Sequence, residues 1–123
     1  MVSRQDLQHG QVAVGVALEQ VVFNRQRLAY STMDDAALQR EVLGLFMIQL
    51  KETRDQLKTK IVLAQDRKFM SHNLRGAASA VGALQIEELA RSWESVNFDP
   101  RVLDALLEQA ETAFRTETKA MFA

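Results

Sequence analysis

Apolar residues recur at three- and four-residue steps through most of the chain after residue 34, the spacing that gathers them on one face of an α-helix. The clearest case follows a cluster of residues suited to capping, Ser31, Thr32, Asp34 and Asp35. There Leu38, Val42, Leu45, Phe46, Gln49, Leu50, Thr53, Leu57 and Ile61 predict one long amphipathic helix over 34–63. The next helix is predicted from near Asp66 through Phe69, Met70, Leu74, Ala77 and Val81, with Gly82 placed to close it in the left-handed conformation. Leu84, Ile86, Leu89, Ala90 and Trp93 predict another over 84–94. Asp99 followed by Pro100 is an N-cap and first-turn pair, opening a last helix with Val102, Leu103, Leu106, Leu107, Ala110, Ala113, Phe114 and Met121 available to face inward. Upstream, Asn24 can cap a short helix through Arg27 and Leu28 to Tyr30, whereas Val12 to Phe23 is apolar and partly β-branched and fixes no conformation by itself. Four substantial helices joined by short loops imply an all-α chain folded as an antiparallel four-helix bundle with a short additional N-terminal helix. In this reading residues 1–23 are a partly flexible extension and 24–123 the folded domain.

Composition narrows the classes of function. With 123 residues the chain holds one hydrophobic core, and its single proline, Pro100, leaves long helices uninterrupted. Fifteen Lys and Arg against sixteen Asp and Glu give a net charge of -1, which offers no overall positive field for a nucleic acid. The absence of cysteine removes disulfides, thiolate chemistry and sulfur-rich zinc sites, and suits a reducing compartment. The longest apolar runs, Val12 to Leu18 and Val42 to Ile48, are about seven residues each, against the roughly 20 needed to span a membrane. The first ten residues lack the basic start and apolar core of a secretion signal, so the expectation is a cytoplasmic monomer that binds neither membrane nor nucleic acid.

At about 100° per residue, Met70, Leu74, Ala77 and Val81 fall on one side of the predicted 66–81 helix and His72 falls nearly opposite, toward water. An imidazole in water has a pKa near 6.5, so a solvent-facing histidine is largely neutral at cellular pH and keeps a lone pair free for attack on phosphorus. Lys68, Arg75, Gly76 and Ser79 project onto the same face. Arg75 and Lys68 can offset the charge of an arriving phosphoryl group, Arg75 by a charge-assisted hydrogen bond. Glycine inside a helix costs about 1 kcal/mol relative to alanine, so Gly76 needs a reason: room for a partner beside the imidazole, or close packing of a neighbouring helix. On spacing alone, a lone histidine on a soluble helix is more often an ordinary surface residue than a functional one. His9 has no patterned acid or base around it and is assigned no role.

The run Ser71-His72-Asn73-Leu74-Arg75-Gly76-Ala77-Ala78-Ser79-Ala80-Val81-Gly82-Ala83 resembles the signature of histidine phosphotransfer domains, in which a histidine is followed by x-L-K-G, small residues, an aliphatic residue and Gly-Ala. The stretch Met33 to Phe46 also resembles the start of that family's first bundle helix, so the likeness covers residues about 24–120. The resemblance implies that His72 accepts a phosphoryl group from a receiver-domain aspartate and relays it to another receiver domain, as in bacterial two-component phosphorelays. It makes Arg75 the cation beside the acceptor and Gly76 the clearance residue. It also implies a carrier without autokinase activity and without a cofactor of its own, with the magnesium ion held by the partner receiver. Arg75 stands where the family usually has lysine, replacing a point charge by a planar fork. A polar residue is common in the family near the imidazole, about where Glu94 stands, which makes Glu94 a candidate for orienting the ring.

No metal is expected on this chain, because the sequence lacks the Glu-x-x-His pairs of a bundle metal site; position 69, where the glutamate would precede His72, is Phe69. Leu43, Met47 and Ile48 lie off the main apolar line of the long helix, and Met47 and Ile48 are candidates, with Lys68, Ser79 and Glu94, for contact with a receiver. A phosphotransferase with a degenerate ATP-binding domain would need an α/β domain that these 123 residues do not contain. A helical adaptor that binds receiver or kinase domains without accepting phosphate is the other alternative, and it would make His72 incidental.

Overall fold

A computed structural model describes residues 20–59 and 62–122, and all regular structure among them is helical. The helices are α1 (Arg25–Ser31), α2 (Ala36–Thr59), α3 (Ala64–Val81), α4 (Leu84–Ser95) and α5 (Pro100–Met121). Of the expected N-terminal extension only residues 20–23 are described, and His9 and Ile61 lie outside the described residues.

Caps and one left-handed glycine explain four of the helix ends. The Asn24 side chain accepts from the backbone N–H groups of Gln26 and Arg27 and starts α1. Asp99 accepts from the Arg101 N–H and starts α5 with Pro100 in its first turn. Helix α2 begins two residues later than its cap cluster suggested, because Met33 and Asp34 both adopt positive φ and leave Asp35 to accept from the Leu38 N–H. Helix α3 starts at Ala64, ahead of the predicted Asp66, with Leu63 as an extended N-cap that offers no side-chain hydrogen bond. Gly82 closes α3 at φ 75°, where a side chain would be strained and its Cβ would collide with the Asn24 carbonyl.

Each of the four long helices packs against two others, α2 on α3 and α5, α4 on α3 and α5. Contacts along α2 and α5 run in opposite directions. Arg40 lies over the Phe122 ring, Phe46 meets Phe114 edge to face, and Arg54 meets Asp104. Leu28, Leu50, Leu74, Leu89, Leu107 and Phe114 are fully enclosed in the core between them, each stabilising the fold by roughly 1.5–3 kcal/mol relative to exposure. The short α1 is clamped to the α3–α4 turn by Asn24 N–H to Gly82 O at 2.8 Å, Leu84 N–H to Val22 O at 3.2 Å, and the Ser31 hydroxyl to Ala80 O at 2.8 Å.

The inward lines of two helices differ from the sequence expectation. On α2 the buried line is Gln39, Leu43, Phe46, Leu50, Thr53 and Leu57, while Leu45 is 60% exposed. On α3 it is Ser71, Leu74, Ala78 and Val81, with Met70 and Ala77 half-buried at its flank.

One polar cluster lies between α2 and α5, with Arg54, Asp104 and Glu111 largely enclosed and Glu108 at its exposed edge. Arg54 reaches Asp104 at 2.7 Å, Glu111 at 3.3 Å and Glu108 at 3.4 Å. Burial works against its charge, but the Asp104 hydrogen bond and the fields of Asp104, Glu111 and Glu108 outweigh that and raise its pKa above the ordinary arginine value.

Candidate functional site

Burying Ser71, Leu74, Ala78 and Val81 fixes the rotation of α3, and that rotation turns His72 outward, its side chain 70% exposed. Gly76, one turn further on, is exposed, and an added Cβ would find nothing within 4 Å. Close packing of another helix therefore does not account for the glycine. What remains is open space at position 76 beside the imidazole, with exposed Lys68 and Phe69, which is 70% exposed, on the turn before His72.

The turn at Gly82 and Ala83 folds α4 back along α3, and Trp93 enters the core at the far end of α4. That packing holds its neighbour Glu94 against α3, where one carboxylate serves two residues. Oε2 accepts from Arg75 Nη1 at 3.0 Å, and Oε1 lies 3.8 Å from His72 Nδ1. The second distance is beyond a hydrogen bond. Both ring nitrogens of His72 are thus free of hydrogen bonds among the described residues, and Nδ1 faces the carboxylate. Arg75 and Glu94 are half-buried, so the pair is less screened than one standing in open solvent.

His72, Arg75, Gly76 and Glu94 thus come together as one patch. Lys68 is at its rim and makes no ion pair among the described residues. Ser79 is drawn to the other end of α3, where its hydroxyl accepts from Arg27 Nη1 at 3.3 Å while the same nitrogen meets Glu87 at 2.7 Å. Met47 packs partly against the core, and Ile48 stands 58% exposed. Sequence reasoning overlooked Phe69 as a member of the His72 face; the signal was there, since an aromatic three residues before His72 falls off the inward line. Among the described residues no group of three or more His, Asp or Glu side chains is placed to hold a metal ion, and no helix is long and apolar enough to cross a membrane.

Comparison of the chain with protein-family models, with curated proteins and with solved structures finds no match.

Proposed function

We propose that this chain is a histidine phosphotransfer domain, an antiparallel four-helix bundle over residues 24–123 that carries a phosphoryl group on His72 between the aspartates of two receiver domains. The observation that carries the reading is the outward His72 imidazole beside the open space at Gly76, in a stretch whose residue types and offsets resemble that family's signature. A neutral imidazole nitrogen attacks the phosphorus of an aspartyl phosphate, the N–P bond forms, the P–O bond breaks and its electron pair returns to the aspartate. Transfer onward is the reverse step on a second receiver. The receiver, with its magnesium ion, stabilises the transferring group; this chain supplies the nucleophile, the Arg75 charge and room for approach. Phe69 adds an exposed apolar contact on the face that the partner would cover. The proposed setting is a monomer in the bacterial cytoplasm.

Incubation with a phosphorylated receiver domain tests this directly. The expected product is phosphate on the wild type that is labile to acid and stable to base, and absent from His72→Gln. Binding of a receiver without phosphate transfer to wild type would leave the adaptor reading in its place.

A further inference from the structure

Glu94 sits in the last turn of α4, where the negative end of the helix dipole disfavours an acid. Helix stability does not explain it there. Its carboxylate is instead directed at the patch on α3, one oxygen 3.0 Å from Arg75 Nη1 and the other 3.8 Å from His72 Nδ1. Arg75, which shares this carboxylate with His72, is therefore already hydrogen-bonded to an anion.

A phosphoryl group would bring about two negative charges to the ring. Glu94 then becomes a like charge within a side chain's reach, and the phosphoryl oxygens compete with it for the Arg75 fork. We propose that Glu94 is a charge competitor: it holds Arg75 while His72 is bare and opposes the phosphoryl group once it is attached, keeping the carrier ready to give that group away. The inference rests on the carrier reading and deepens it. Without the opposing charge, Arg75 and Lys68 together would stabilise phosphohistidine and make the domain a sink. Glu94 makes and breaks no bond in the transfer. It is a positioning residue that acts through Arg75 and through its own field.

Phosphoramidate tests the idea without any receiver. Its P–N bond breaks as the His72 N–P bond forms, and the departing nitrogen takes a proton and leaves as ammonia. At fixed phosphoramidate and ammonium, 31P NMR gives the equilibrium ratio of phosphorylated to bare His72, with His72→Gln identifying the signal and separating it from His9. A phosphoryl group of about two charges some 5 Å from a carboxylate, in water-like surroundings, corresponds to about a tenfold or larger change in that ratio. The expected result is a ratio raised about tenfold or more in Glu94→Gln and lowered in Arg75→Ala, with each variant first shown to be folded. A ratio in Glu94→Gln equal to or below that of wild type overturns the proposal, even if transfer from a receiver to His72 has been demonstrated. Failure of His72 to take phosphate in any variant would overturn the carrier reading and this inference with it.

Discussion

At the α2–α5 seam Arg54 meets Asp104, Glu108 and Glu111 within 3.4 Å, whereas at the α3–α4 seam Arg75 meets, among the described residues, Glu94 alone. The side chains of Arg54, Asp104 and Glu111 are 14%, 15% and 13% exposed; those of Arg75 and Glu94 are 33% and 26% exposed, beside a histidine that is 70% exposed. Both arginines tie one long helix to another through carboxylates. The first is matched by three carboxylates and largely enclosed, so its charge is committed to the fold. The second has one partner among the described residues and lies beside the open space at Gly76, so its charge can be redirected. On the proposed reading, identical chemistry serves the fold at one seam and phosphoryl transfer at the other, according to how many partners saturate it and how much water reaches it.

The largest effect that would sharpen this contrast is on stability at the α2–α5 seam. Arg54→Ala leaves Asp104 and Glu111 half-enclosed without their cation, and should cost about 2–4 kcal/mol in urea unfolding, less than a fully buried pair because some water remains. Phosphate acceptance by the folded fraction should be unaffected. Because the folded pKa of Arg54 is raised, its stabilisation is fully present below the unfolded value and is lost only as pH rises through the folded one. That window is strongly alkaline, so the arginine's own titration leaves the cost of the substitution constant across ordinary pH.

Two glycines extend the contrast to the backbone. Gly82→Ala forces a side chain into left-handed backbone and against the Asn24 carbonyl, and should cost about 1–3 kcal/mol, read as a lower urea midpoint. Gly76→Ala meets no obstacle in an exposed helix, so it should raise stability by about 0.5–1 kcal/mol while slowing phosphoryl transfer from a receiver. A gain in stability with no loss of transfer rate would mean that the open space is not needed for approach. The smallest stability change belongs to Arg75→Ala, at about 0.2–1 kcal/mol, the range of a pair that is partly screened. If Arg75→Ala instead destabilises the protein as much as Arg54→Ala, the distinction between the two seams collapses.

Much of the fold was legible because local chemistry decides it. Asn24, the Asp99 and Pro100 pair, and Gly82 each announce a helix end by a property of the residue itself, and each does so in the structure. The inward face of α2 was less legible. Steps of three and four residues pass equally through Leu38, Val42 and Leu45 or through Gln39 and Leu43, and packing against both α3 and α5 selects the second line. The Arg54 cluster could not be foreseen, since its partners lie 50 residues and more along the chain and single charges on a helix read as solvated. At the candidate site, the exposure of His72 followed from helical rotation, and Glu94 was singled out only through the family resemblance. Its bond to Arg75 depends on how α4 folds back at Gly82 and Ala83, which no spacing within α3 encodes.

The measurement closest to the heart of the matter is phosphoryl transfer from a labelled, phosphorylated receiver domain to wild type and to His72→Gln, with both proteins first shown to unfold at the same urea concentration. Acid-labile, base-stable label on the wild type and none on the variant is the predicted result. Equal labelling of the two, or none on either, would contradict the assignment of His72 as the acceptor.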